Sequence, residues 1–201
     1  MNQTAKNIVV ITAITIVAGL LLGYVYDVTK APIAEMEAAT KKAAYQSVFT
    51  SGQTFDPISE SEVAELNDYL LSSGFESDTL TEALLAKDAS GNELGYVFGV
   101  TTHEGYGGDI SMSMGVSNDG TFLGYEILSI SETAGLGMNA DTDEFKNQYA
   151  NKNVSRFSYT KTGKSADYEI DAISGATITT SAVTNAVNAA LACFERIGGG
   201  I

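Results

Sequence analysis

Asp109-Ile110-Ser111-Met112-Ser113-Met114-Gly115-Val116-Ser117-Asn118-Asp119-Gly120-Thr121-Phe122-Leu123-Gly124-Tyr125-Glu126-Ile127-Leu128 decides the fold class. Two alternating runs flank Asn118-Asp119-Gly120. Alternation marks strands with one covered face, and Asp-Gly between such runs is a strong tight-turn signal. The expectation is an antiparallel hairpin, 109–117 with 121–130. Upstream, 83–88 and 93–101 flank Ser90-Gly91-Asn92 and predict another hairpin. Downstream, 143–149 predicts a short helix, and 154–159 and 168–173 predict further strands. The last segment carries apolar residues at Val183, Val187, Ala190, Leu191 and Phe194, a helical period. The class is α+β, a mainly antiparallel sheet with flanking helices.

Working outward to the N-terminus, the chain from Ile8 to Tyr26 is free of charge. Nineteen residues at helical rise span roughly 28 Å, about the hydrocarbon thickness of a bilayer. A buried helix this apolar would need a larger protein around it. A signal peptide has a shorter apolar core and a small-x-small cleavage site, whereas this stretch ends in Gly23-Tyr24-Val25-Tyr26-Asp27. A retained single-pass anchor is expected. Gly19 and Gly23 form a small-xxx-small pair, a pattern of packed membrane helices that chance also produces. The Lys residues on the two sides of the span leave the positive-inside count ambiguous. The short segment before it suits a cytoplasmic N-terminus, with the acidic remainder on the extracytoplasmic side. Pro32 is expected at the first turn of a second helix, a stalk over 33–49, followed by a polar loop at 51–61 and a short helix at 60–71. Gly198-Gly199-Gly200-Ile201 reads as a frayed end.

The 201 residues carry 11 Lys+Arg against 25 Asp+Glu, a net charge of −14. That excludes a basic footprint for nucleic acid. The single cysteine, Cys193, excludes an internal disulfide, a CxxC motif and a cysteine-based zinc or iron–sulfur centre. It falls in the closing helix and reads as a buried small hydrophobe. The single histidine, His103, gives no metal cluster and no histidine-centred triad.

Three stretches carry chemistry. Glu104-Gly105-Tyr106-Gly107-Gly108-Asp109 joins the two hairpins. Ser131-Glu132-Thr133-Ala134-Gly135-Leu136-Gly137 follows the second. Neither is a P-loop or a dinucleotide fingerprint. Glycines at strand ends serve as turns, and two such loops framing one sheet also suit a flat ligand approached by backbone. The third stretch is Asp171-Ala172-Ile173-Ser174-Gly175-Ala176-Thr177-Ile178-Thr179-Thr180-Ser181. Its hydroxyls precede an apolar helix, where Thr179, Thr180 and Ser181 are acceptable N-caps. Capping leaves Ser174 to Thr177 unexplained. A Ser-Gly-Ala turn presents Thr177 next to a helix N-terminus, a place suited to phosphate.

In this order, the anchor, Gly-Tyr-Gly-Gly at 105–108, Glu-Thr-Ala-Gly-Leu-Gly at 132–137 and Asp-x-x-Ser-Gly-Ala-Thr at 171–177 resemble the FMN-binding domain family. The resemblance runs to the G subunits of Rnf-type ion-translocating ferredoxin:NAD+ oxidoreductases, and to the C subunits of sodium-translocating NADH:quinone reductases, which are typically longer. It implies FMN joined by a phosphoester to Thr177, installed from FAD by a flavin transferase. It also implies that Asp171, Ser174, Gly175 and Ala176 form the transferase recognition element and phosphate surroundings. Glu132, Thr133, Leu136 and Gly137 would line the flavin site, with Gly107 contributed by the other loop. Relatives commonly have Pro where this chain has Ala134, and often a His near the Ser129-Ile130-Ser131 segment. The implied plan is a tail at 1–7, a transmembrane helix at 8–27, a helical stalk and linker at 28–80 and an FMN-binding domain at 81–201. The implied partners are membrane lipid, a flavin transferase for maturation and other membrane and redox subunits. The chain would be a relay, having no NAD fingerprint and no iron–sulfur cysteines. A stand-alone anchored flavoprotein for extracellular electron transfer, and a non-redox anchored scaffold in which 174–181 is only a helix cap, are the alternative functions.

Overall fold

A computed structural model describes residues 2–198; the glycine-rich end expected at 199–201 lies outside them. The chain divides after Thr40. The first unit is helical. Helix α1 spans Gln3–Val48 and contains an 18-residue window of mean hydropathy 2.6, none of it buried. Leu20, Leu22 and Tyr24 are 70, 72 and 70% exposed. So long an uncovered apolar stretch is costly in water and suits hydrocarbon, where a helix satisfies its own backbone groups. Two expectations change here. Residues 3–7 are helical rather than a tail. Pro32 lies inside α1 rather than opening a second helix. Proline removes one backbone hydrogen bond, and the Ala- and Glu-rich sequence after it favours helix strongly enough to carry the helix on.

The second unit begins at Lys41. Its centre is a five-stranded antiparallel sheet in sequence order: β1 Thr54–Pro57, β2 Asp78–Lys87, β3 Glu93–Thr102, β4 Ile110–Ser117 and β5 Phe122–Ser129. Both hairpins read from the sequence are present, β2 with β3 and β4 with β5. Leu84, Ala86 and Val97 on one face meet Tyr45, Val48 and Phe49 from the end of α1. Tyr45 also donates to Glu82 Oε1 at 2.6 Å, and Lys41 pairs with the same oxygen at 3.1 Å. Phe98, Val100, Met112, Met114 and Val116 on the other face meet two helices, α2 Glu60–Ser72 and the long C-terminal helix Thr177–Gly198. Alternation along each strand serves two cores at once.

The segment assigned to a stalk and linker therefore supplies structure to this unit. The polar loop expected at 51–61 contains β1, an edge strand whose Pro57 has no N–H to offer. Helix α2 starts at a capping box, where Ser59 and Glu62 each satisfy the other's backbone N–H. The expected short helix is shorter still: α3 is Asp143–Lys146, after a 3-10 turn at Gly137–Asp141. The strands expected at 154–159 and 168–173 shrink to β6 Ser158–Thr160 and β7 Glu169–Asp171. They pair with each other in parallel, outside the main sheet. Beside them Tyr149 is fully buried among Tyr125, Phe145 and Phe157, its hydroxyl 2.8 Å from Thr184 Oγ1.

Asp78, at the start of β2, is 5% exposed, and its Oδ1 has no partner among the described residues. Burial pushes its carboxyl up from an ordinary 3.8 to about 6. Thr102 opposes the shift by hydrogen bonding, Glu104 adds to it by charge, and His103 opposes it. The folded state binds the proton more tightly than the unfolded chain, so Asp78's contribution to stability is fully present below about pH 4. It falls as pH rises through 6, by an amount on the order of 2–3 kcal/mol. Asp78→Asn is expected to raise the melting temperature at pH 7.5 and leave it nearly unchanged at pH 4. An equal rise at both pH values would contradict this origin of the pH dependence.

Candidate functional site

Strand β7 delivers the chain into the turn that precedes the last helix, α4 Thr177–Gly198. Asp171 is fixed at three atoms. Its N–H donates to Gln148 Oε1 at 2.8 Å, its carbonyl accepts from Gln148 Nε2 at 3.3 Å, and its Oδ1 accepts from the Lys164 N–H at 2.6 Å. The turn closes through Ala176 N–H to the Ile173 carbonyl at 3.0 Å. Gly175 has φ +77°, and a Cβ there would lie 3.0 Å from Leu136 Cδ2, so this position requires glycine on conformation and is tight as well.

Helix α4 starts a turn earlier than the capping pattern suggests. Thr177 is its first residue, and Thr179, Thr180 and Ser181 lie inside it. The reason is Thr180. Its buried Oγ1 accepts from the Ile173 N–H at 3.1 Å and donates to the Ala176 carbonyl at 3.0 Å, tying the turn to the helix from within. Thr180 N–H to Ala176 is the first backbone bond of the helix. Among the described residues, the N–H groups of Thr177, Ile178 and Thr179 have no acceptor. They form the positive, donor-rich end of a 22-residue helix. Thr177 itself is half-buried.

Both glycine-rich loops come to this turn. The 104–109 loop is held to α4 by Asn185 Nδ2, which donates to Glu104 Oε2 at 2.7 Å. Gly107 donates its N–H to Glu132 Oε1 at 3.2 Å. The 131–137 loop has Ala134 at its third position after Ser131 and closes by backbone bonds, Leu136 N–H and Met138 N–H both to the Thr133 carbonyl, at 3.1 and 3.2 Å. Gly137 is buried. A Cβ there would fall onto Glu132 Oε2 and lie 2.7 Å from Thr179 Oγ1.

Between loop and helix lies a pocket of about 500 Å³ lined by Tyr106, Glu132, Thr133, Leu136, Gly137 and residues 175–179. Tyr106 is 72% exposed, Ile178 53% and Leu136 43%, so the pocket has an apolar rim over a polar floor. Its size and mixed lining fit a small ligand with a flat apolar part and an anionic part. Of the expected site residues, Thr177, Gly175, Ala176, Glu132, Thr133, Leu136 and Gly137 line it. Gly107 lies one shell out, through Glu132. Asp171 and Ser174 face a separate depression of about 330 Å³ with Asn139, Thr142, Glu144 and Gln148. Tyr106, Ile178 and Thr179 also line it; the sequence marks Thr179 only as a helix cap, and gives Tyr106 and Ile178 no role. Two signals were available: an aromatic between glycines has no core to enter, and Ile178 lies outside the helical stripe that begins at Val183. His103 is exposed and pairs with Asp109 at 2.8 Å, away from the lining.

A model of the FMN-binding domain matches residues 105–192. The chain is 32% identical over 191 residues to the G subunit of an ion-translocating oxidoreductase complex from Methanosarcina acetivorans, covering 94% of each chain. It is 29% identical over 192 residues to the G subunit of a Na(+)-translocating ferredoxin:NAD(+) oxidoreductase complex from Acetobacterium woodii, covering 94% of this chain and 90% of that one. Among solved structures, its fold resembles the C subunit of the Na(+)-translocating NADH-quinone reductase from Parabacteroides distasonis, with a TM-score of 0.52 at 20% identity over 75% of this chain and 79% of that one.

Proposed function

The chain belongs to the family of G subunits of ion-translocating oxidoreductase complexes, and from that premise we propose that it is an electron-transfer protein with FMN held covalently on Thr177, working within a membrane-bound, Rnf-type ferredoxin:NAD+ oxidoreductase. The observation that carries the reading is the position of Thr177. Its residue opens α4, borders the 500 Å³ pocket and adjoins backbone N–H groups without acceptors among the described residues. The pocket fits FMN by its chemistry: donors for a phosphate, an apolar rim for a ring, and glycine positions where a Cβ would occupy the floor.

A threonine hydroxyl is a weak nucleophile unless a base or metal activates it. In this reading a flavin transferase is the partner that supplies the activation. The Thr177 Oγ–P bond would form as the diphosphate P–O bond of FAD breaks, with AMP leaving and the hydroxyl proton passing to a base of the transferase. Asp171 holds the turn through Gln148 and Lys164, and with Ser174 offers the transferase a face separate from the flavin pocket. Bound flavin supplies one- and two-electron chemistry. The chain's own residues bind its phosphate, limit water at the rim and keep it from dissociating.

As a relay, the chain does not catalyse the overall reaction alone. Its partners are the other membrane and redox subunits and the lipid around α1. The anchor reading is supported by the uncovered apolar window near the chain's start; the proposed orientation puts the N-terminus in the cytoplasm and the FMN domain outside. Purification of the tagged chain from membranes is expected to bring several integral membrane subunits and a covalent flavin with it. A flavinylated chain that purifies alone would contradict membership of a complex. Degradation of the FMN domain by protease added outside intact cells tests the orientation, and full protection would reverse it.

A further inference from the structure

Glu132 is 9% exposed and lines the pocket. Its Oε1 accepts from Gly107 N–H at 3.2 Å and lies 3.0 Å from where a Cβ at Gly105 would be. Its Oε2 lies where a Cβ at Gly137 would fall, and Gly107 packs against the Ser131 carbonyl. Gly105 and Gly137, one from each loop, thus make room for one carboxylate, and Gly107 lets the two loop backbones close on each other. Among the described residues no Lys, Arg or His pairs with it. A buried carboxylate ordinarily has a cation or several N–H donors. With one donor, its remaining field acts on whatever fills the pocket, and in a low-dielectric site such a field opposes arrival of an electron.

We propose that Glu132 is the positioning residue of the pocket: its carboxylate latches the 104–109 loop to the 131–137 loop and holds negative charge against the flavin, lowering the flavin's reduction potential. The inference rests on the reading of this pocket as the FMN site. Latching follows from the Gly107 bond. The effect on potential follows from burial without a counter-ion.

The test compares full-length wild type, Glu132→Gln and Glu132→Ala, each expressed with a flavin transferase. Gln keeps the volume and an acceptor oxygen for Gly107 but removes the charge. The Gln variant is expected to load flavin. At the wild-type midpoint potential its ratio of reduced to oxidised flavin should rise about tenfold, which is about 59 mV for a one-electron couple. A purely bracing role would leave that ratio unchanged, and an unchanged or lower ratio overturns the charge assignment. The latch is read separately by hydrogen exchange at the Gly107 amide, in a Thr177→Ala background that carries no covalent flavin. Protection should be kept by Glu and Gln and lost with Ala; equal exchange in all three overturns it. A wild-type chain that takes up no flavin would defeat the FMN reading and the effect on potential with it, while the exchange result would still decide the latch.

Discussion

Thr177→Ala is expected to abolish covalent flavin, so that the fluorescent band of the denatured chain falls to background. The effect should be all-or-none because no other hydroxyl of this turn and the first turns of α4 can substitute. Ser174 faces the other depression. Thr179 is 1% exposed. Thr180 is fully buried, and its hydroxyl is committed to Ile173 and Ala176. Ser181 lies a turn into the helix. The fold should tolerate the change. Thr177 makes no side-chain hydrogen bond recorded among the described residues, and alanine is a good helix former, so stability should move by no more than about 0.5 kcal/mol. Thr177→Ser, which keeps the hydroxyl, should recover flavin. Persistence of covalent fluorescence in the Ala variant would remove Thr177 from its role.

Gly137→Val is expected to be the most damaging single change at the pocket floor. The first added carbon already meets Glu132 Oε2 and comes within 2.7 Å of Thr179 Oγ1, and Glu132 Cβ lies 2.8 Å away. Two further methyls have nowhere to go, because Gly137 is buried between the loop and α4. Overpacking of this kind costs about 3 kcal/mol or more. For a unit of this size that lowers the melting temperature by roughly 6–12 °C. Flavin loading should fall with it, since the carboxylate displaced is the one that holds Gly107. Gly137→Ala provides the graded control, with a smaller loss of both. A Val variant that melts and loads like wild type would mean that this floor is not rigid.

The sheet is legible in the sequence because its signals are local. Alternation over 109–117 and 121–130, with Asp119-Gly120 between, leaves little choice of partner, and the structure pairs them as β4 and β5, with register shifts at Ser111/Met112 and Gly115/Val116 that alternation does not show. The apolar window of α1 is equally direct. What the sequence does not announce is set by contacts distant along the chain. Four residues around Phe55 become a strand because β2 offers an edge, with Thr54 opposite Lys87 and Pro57 opposite Leu84. Strands β6 and β7 pair in parallel, an arrangement that carries no hairpin signal. The start of α4 departs from expectation for a related reason. Three hydroxyls in a row look like caps, and only the fold shows that Thr180 turns inward to satisfy Ile173.

The candidate site divides in the same way. The loops and the Thr177 turn can be named from motif residues, and seven of the ten residues named line one pocket. Asp171 and Ser174 cannot be separated from them by sequence, because the two sides of a short turn are indistinguishable until its Gly175 conformation and its bond to Thr180 are known. Tyr106 and Ile178 contribute the apolar rim from positions that a search for polar chemistry passes over.

The central claim is that Thr177 carries the cofactor, and peptide mass mapping of the chain purified from its membrane tests it most directly. The account predicts that the peptide containing Thr177 is heavier by one FMN less water, with fragmentation placing the increment on that residue. An unmodified Thr177 peptide in a preparation that is yellow, or the same increment on any other residue, would contradict it.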